Sequence, residues 1–226
     1  ALSDLQLCYD GTASCTTAPT KGDLTRRDTW LNTAGAYLSS YQEFDTYGNV
    51  KATVDPVGNR TEVSYDTTYH LFPVQVTNAL SQVTSATLAL PCFAPATTTD
   101  ANSQVTTFAY DVLCRTMRVD KPGGDYARWT YDNLGTPDSQ KITRFHPSSN
   151  GVSEQSSLWR FDGLGQIYQM EGSGPSTIVT TRSYDARGNL IAESLPYYQG
   201  ETAYAKNYRV DALDRVARAL GEQARP

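Results

Sequence analysis

The sequence predicts an all-β chain of repeated antiparallel hairpins. Three observations lead there. One phrase, an aromatic and an aspartate, two free positions, then glycine, a polar and an apolar residue, recurs along the chain. Its copies fall at a period of 20–25 residues, which indicates a repeat architecture. Between the copies lie short stretches rich in β-branched and aromatic residues, which favour strands.

The phrase is clearest as Tyr184-Asp185-Ala186-Arg187-Gly188-Asn189-Leu190 and Phe44-Asp45-Thr46-Tyr47-Gly48-Asn49-Val50. It recurs as Phe161-Asp162-Gly163-Leu164-Gly165-Gln166-Ile167 and Tyr131-Asp132-Asn133-Leu134-Gly135, and in shorter form at Tyr65-Asp66 and Tyr110-Asp111. An Asp opening a turn accepts hydrogen bonds from backbone N–H groups two residues on. A Gly three places later takes positive φ without a steric penalty, as the bulge closing a hairpin loop requires. The aromatic ends the incoming strand and the apolar residue begins the outgoing one.

Residues 1–43 are the least regular and form an N-terminal β segment with a degenerate repeat. Leu5-Gln6-Leu7-Cys8-Tyr9 alternates as a strand and ends at Tyr9-Asp10-Gly11. A polar loop from Thr12 to Thr20 leads to strands from Lys21 to Trp30 and from Tyr37 to Phe44. Residues 44–226 form the repeat array, with nodes at Phe44, Tyr65, Tyr110, Tyr131, Phe161 and Tyr184. The step from Tyr65 to Tyr110 is twice the usual one and demands a further turn near Leu88, where aromatic and Asp are both lost. Halfway turns are expected at Asp55-Pro56-Val57-Gly58-Asn59, at Asn78, at Asp100 and at Asp120-Lys121-Pro122-Gly123-Gly124. In Arg60 to Tyr65, Thr61, Val63 and Tyr65 share one face, opposite Arg60, Glu62 and Ser64. Asp211 to Ala219 has helical spacing at Leu213, Val216 and Leu220, but the repeat register favours a turn and a strand.

Composition narrows the function. The 226 residues are 39% hydrophobic, below the ~45–50% usual for globular proteins. Tyrosine is the commonest aromatic at 15 copies, which suits a single-layered sheet better than a thick core. The net charge of −5 provides no basic stripe for nucleic acid. No apolar run has the ~18–20 residues of a membrane helix. The chain begins without Met or a signal-peptide pattern and reads as a segment of something longer.

Chemical motifs are scarce. His70 and His146 have no motif-level nucleophile or carboxylate partner and read as loop histidines. The node aspartates occur singly, one per repeat, where a calcium site needs six to eight gathered oxygens; they read as turn caps. Gly172-Ser173-Gly174-Pro175-Ser176 lacks a following Lys and reads as a hairpin tip. Trp30, Trp129 and Trp159 read as strand aromatics in cross-strand pairs, with sugar stacking as the alternative. Asn59-Arg60-Thr61 is a glycosylation sequon, meaningful in a eukaryotic secretory host. Cys8 and Cys15 could bridge a local loop, although free thiols are the simpler reading. Cys92 and Cys114, four residues after their nodes, would be equivalent points two strand spacings (~10 Å) apart, too far for a disulfide, and are expected to be free. No zinc spacing, cofactor site or catalytic residue is expected.

The repeated Tyr-Asp-x-x-Gly-Asn-Leu phrase resembles the YD repeat of Rhs-type proteins. Tyr9-Asp10-Gly11, Lys21-Gly22-Asp23-Leu24-Thr25 and the run from Tyr47-Gly48-Asn49-Val50 to Leu71-Phe72-Pro73 are similar to the repeat-bearing part of the B components of bacterial insecticidal (Tc) toxin complexes. The resemblance spans residues 9–220. It implies a curved, spiralling β shell that encloses a C-terminal toxin polypeptide, with adjacent repeats and other toxin-complex subunits as partners. It also implies a secreted or cell-surface, non-enzymatic segment without nucleic-acid partners. The family's self-cleaving end carries Asp-Pro-x-Gly-Leu; here Asp55-Pro56-Val57-Gly58 is followed by Asn59, in keeping with a halfway turn. The alternative is an adhesion or carbohydrate-binding module on the same repeats. A fragment with uncovered strand edges is expected to be marginally stable.

Overall fold

The computed structural model describes residues 4–149, 151 and 153–224, with side chains through residue 219. It is all-β and built of antiparallel hairpins. The chain divides into two compact units, residues 1–107 and 108–226.

In the first unit β1 (Leu5–Tyr9), β2 (Leu24–Leu31), β3 (Ala36–Phe44), β4 (Val50–Val54), β5 (Arg60–Tyr65), β6 (Pro73–Thr77), β7 (Val83–Ala89) and β8 (Ala94–Thr99) follow one another. Each pairs antiparallel with the next, and β8 pairs with β9 (Val105–Tyr110), which carries the chain into the second unit. The turn that the period demands near Leu88 lies two residues later, as a 3-10 turn at Leu90–Cys92 closed by Phe93 at φ 48°.

The second unit continues with β10 (Thr116–Asp120), β11 (Tyr126–Asp132), β12 (Lys141–Pro147), β13 (Glu154–Phe161), β14 (Ile167–Gly172) and β15 (Ile178–Tyr184), again paired in sequence. His146 lies in β12, not in the loop that its Pro147-Ser148-Ser149 context suggests. Then the pattern forks. β15 pairs with β16 (Leu190–Ser194) at one end and with the two-residue β17 (Tyr197–Tyr198) at the other, while β16 also pairs with β18 (Tyr204–Val210). Leu195-Pro196 makes the break, because proline has no N–H to offer a ladder. β18 pairs with β19 (Val216–Ala224), so the Asp211 segment is turn and strand.

One irregularity marks the nodes. The register shifts by one residue between Cys8 and Tyr9, Glu43 and Phe44, Ser64 and Tyr65, Thr87 and Leu88, Arg160 and Phe161, Ser183 and Tyr184, and Arg209 and Val210. Each of these is a bulge at the residue before the turn Asp or at its replacement, Leu88 at the eroded node and Val210 before Asp211; the node Tyr131 has none, and one further shift, between Ala205 and Asn207, lies away from the turns. Bulges increase local twist and fix where a ladder ends.

Among the described residues, buried apolar ones are few and mostly small: Cys8, Ala52, Ala127, Val179, Ala192 and Ala205. Large apolar residues such as Leu71, Val112 and Leu164 stay exposed at turns. Stability rests on laddered backbone pairing and cross-strand side-chain pairs, since neither unit has a thick apolar interior. Trp30 packs edge-on against its cross-strand partner Tyr37 at 5.1 Å. Arg60 bridges Glu43 and Glu62, and Arg160 and Arg182 meet Glu171 and Glu193 across neighbouring strands. Such exposed pairs are each worth roughly 0–1 kcal/mol.

Candidate functional site

The feature that organises the chain is the turn at each node, and its chemistry begins with one carboxylate. Asp185 Oδ1 accepts the backbone N–H groups of Arg187 and Asn189, both at 2.9 Å. Its Oδ2 accepts the Asn189 side-chain amide at 3.1 Å, and Gly188 N donates to Asp185 O at 3.0 Å. Asp45 repeats this with Tyr47, Gly48 and Asn49. Asp162 takes the N–H groups of Leu164 and Gln166 beside Gly165. The halfway turns at Asp55, Asn78 and Asp100 use the same two-and-four pattern. At Asp111 and Asp211, Arg115 and Arg215 replace Asn and bind the carboxylate through Nε at 2.6 and 2.8 Å.

In these turns the residue three after the cap takes positive φ. It is Gly at 48, 165 and 188, Cys114 at 61° and Asp214 at 61°. Asp66 differs in span: its carboxylate gathers the N–H groups of Thr68, Tyr69, Leu71 and Phe72, with His70 in the left-handed position. Asp132 differs in kind. It is still paired with Lys141 in the ladder, Asn133 and Gly135 both take positive φ, and the loop runs on to Gln140.

Two links between successive nodes were not legible as such in the sequence. First, the residue after the turn glycine reaches the next node. Asn49 Nδ2 donates to His70 O at 2.7 Å, Gln166 Nε2 to Gly188 O at 2.9 Å, and Asn189 Nδ2 to Asp214 Oδ1 at 2.8 Å. Gln140 Nε2 likewise donates to Asp162 O. In three of the four the receiver is the left-handed residue of the next turn. Second, node tyrosines reach back. Tyr65 OH donates to Val50 O at 3.0 Å, Tyr131 OH to Thr116 O at 2.9 Å and Tyr184 OH to Ile167 O at 2.8 Å. Each acceptor is the first residue of the strand leaving the previous node. Tyr184→Phe deletes one such link and is expected to cost about 1 kcal/mol, read as a lower urea midpoint with unchanged slope.

At Asp45, Asp55, Asp66, Asp111, Asp185 and Asp211 the donors favour the charged carboxylate and lower its pKa. In Asp185 and Asp211 the main cause is the backbone N–H four residues on. In Asp55 it is the Asn59 amide. In Asp45, Asp66 and Asp111 burial acts the other way and is outweighed by the combined donors. Asp10, held first by Lys21 N and further by the N–H groups of Thr20 and Asp23, is brought down to about 2. A carboxyl depressed in the folded state stabilises fully above its unfolded value, near ~4, and that contribution is lost as pH falls through the folded value. The urea midpoint is therefore expected to hold between pH 7 and about 5 and to fall steeply from about 4 to 2. A midpoint that stays level down to pH 2 would contradict the role of these caps.

All four cysteines are disulfide-bonded. Cys8 joins Cys15 across the loop after β1, and Cys92 and Cys114 are bonded as well. The free-thiol expectation is thereby overturned. It assumed that Cys92 and Cys114 occupy equivalent turn positions, but Cys114 is the left-handed residue whereas Cys92 precedes the left-handed Phe93. Of the histidines, His70 stacks on Tyr47 at 3.8 Å, and His146 Nδ1 lies 3.0 Å from Pro147 O.

The chain superposes on a crystal structure of TcdB2-TccC3 with a TM-score of 0.70 and 13% identity, over 96% of its own length and 16% of the matched chain. A TcdB2-TccC3-TEV crystal structure gives 0.72 and 11%, over 97% and 18%. The chain shares its fold with part of TcdB2-TccC3. A further crystal structure, TcdB2-TccC3 without its hypervariable C-terminal region, gives 0.57 and 17%, over 88% and 12%. The chain thus spans less than a fifth of the length of the TcdB2-TccC3 chains it matches. No protein-family model matches it, and no curated protein does. Among the described residues no helix is long and apolar enough to cross a membrane.

Proposed function

We propose that this chain is a wall segment of a secreted toxin-complex shell that encloses a toxin polypeptide carried by the same longer protein. The observation that carries the reading is the node-to-node linkage. Four turns are clamped to the next by an amide and three node tyrosines are tied to the strand before them, so the repeats brace one another along a ribbon that satisfies its own backbone. The shared fold with TcdB2-TccC3 supports it. In this reading the segment is not an enzyme; its chemistry is enclosure, and its partners are neighbouring repeats, the enclosed chain and further toxin-complex subunits. The test is limited trypsin digestion of the longer protein. A C-terminal segment that survives while the shell is native, and is digested once denaturant opens the shell, supports the reading. A segment cleaved as fast as when expressed alone overturns it.

One observation favours a second reading, glycan binding. At the fork, Ile178, Pro196, Tyr197, Tyr198, Glu201 and Tyr204 line a cleft of about 410 Å³, with Tyr198 and Tyr204 about half exposed. Aromatic faces beside a carboxylate suit a sugar ring. Specific signals on a glycan array that disappear in Tyr198→Ala with Tyr204→Ala would establish this reading over the first.

A further inference from the structure

The loop after β1 brings together groups that turn-making does not explain. Asp10 anchors the loop through the N–H groups of Thr20, Lys21, Gly22 and Asp23. Beneath it, Asp28 on β2 faces the Cys8–Cys15 bridge, with Oδ2 at 4.0 Å from Cys8 Sγ and 3.8 Å from Cys15 Sγ. The three ligand atoms lie within 4.8 Å of one another. Cys8 is fully buried and Asp28 is 6% exposed. Asp28 Oδ1 is buried without a hydrogen-bond partner. A buried carboxylate oxygen left unpaired is rare and costly, and asks for a missing ligand.

We propose that, when the bridge is reduced, Cys8, Cys15 and Asp28 form a binding site for a soft divalent cation of the zinc type. The donor set fits: two thiolates and a carboxylate are ligands that such an ion accepts in tetrahedral geometry, and a water completes the fourth position on the half-exposed Cys15 side. Charge fits as well. Two thiolates and Asp28 carry three negative charges; the ion supplies two positive charges and Arg26 the third. Arg26 Nε is 3.1 Å from Asp28 Oδ2, and its Nη2 is 3.3 Å from Cys15 Sγ. The corner is therefore neutral with the ion bound, which offsets the penalty of burying its charges.

The switch is a thiol–disulfide exchange. A dithiol passes two electrons to the Cys8–Cys15 bond, which breaks, and closes into its own disulfide. Its two protons go to the released sulfurs and leave when the cation binds. A disulfide oxidant reverses the exchange: the cysteine sulfurs rejoin, the oxidant takes two protons from water to become a dithiol, and the ion is expelled. The site is thus loaded under reducing conditions and empty under oxidising ones.

The test uses the whole chain, reduced by a water-soluble phosphine without oxygen and titrated with cobalt(II). The expected result is a thiolate-to-cobalt absorption band that saturates at about one equivalent and is abolished by zinc. Asp28→Asn is expected to weaken cobalt binding by about tenfold or more. Cys92→Ser with Cys114→Ser is expected to leave the band unchanged. No band, a band that survives Cys8→Ser with Cys15→Ser, or unaltered affinity in Asp28→Asn overturns the proposal. Should the cysteine variants fail to fold, alkylation of the reduced wild-type chain decides. Zinc that slows labelling of Cys8 and Cys15 but not of Cys92 and Cys114 supports the site, and equal labelling with and without zinc overturns it.

Discussion

Gly188→Val is expected to destabilise the second unit by about 2–3 kcal/mol. Two effects add. Gly188 sits at φ +88°, a conformation that a β-branched residue adopts only under strain. A Cβ there would also stand 2.8 Å from Gln166 Nε2, the group that clamps this turn to the preceding one. Gln166 would swing away and the clamp would be lost. Gly165→Val separates the effects: φ is +79°, but a Cβ there meets nothing within 4 Å, so only the strain applies. In a Gln166→Ala background the excess of Gly188→Val over Gly165→Val should vanish. A full excess without Gln166 would show that the clamp is irrelevant.

Asp66→Ala is expected to have a larger effect than Asp45→Ala or Asp185→Ala, lowering the melting temperature by about 5 °C or more. It removes the acceptor of four backbone N–H groups at once, where Asp45 or Asp185 serves two. The residue is only 8% exposed, so water replaces the lost acceptor poorly. The turn also positions the His70 carbonyl that receives the Asn49 clamp, and Phe72, which stacks on Phe93 at 5.6 Å. Asp66→Asn, keeping one acceptor oxygen, should fall between wild type and alanine. Hydrogen exchange at Thr68, Tyr69, Leu71 and Phe72 should quicken first; unchanged protection there would refute the assignment.

The hairpin plan was readable because its signals are local. Asp and the left-handed residue three places on lie in one short phrase, and strand propensity fills the rest. Even the erased node at Leu88 could be placed, since the period supplied what the residues did not. The clamps were hidden for the opposite reason. Asn49 and Asn189 read as turn formers, and their second bonds end on a backbone carbonyl or on Asp214, more than twenty residues away. A carbonyl has no identity in a sequence, so the receiving end leaves no mark. The Tyr-to-carbonyl links were invisible likewise: the hydroxyl distinguishes Tyr65 from Phe44, but its target does not show. Asp132 illustrates a local signal that misleads. Its phrase lacks a donor-bearing exit, because Thr136-Pro137-Asp138 follows the glycine, and the chain turns through Asn133 instead. The disulfides escaped because spacing alone cannot reveal a one-residue offset between two turns.

The clamp also sets a rule of parity for how such a chain can change length. A turn's lock lies one whole repeat downstream, from Asn49 to His70 and from Gln166 to Gly188. Removing or adding two strands returns the chain to the same margin, running in the same direction, with a new left-handed carbonyl in place of the old. Removing one strand reverses everything that follows and sets a halfway turn where the lock was meant to close. Whole repeats are thus interchangeable parts and half repeats are not, so duplication and loss would proceed in pairs of strands.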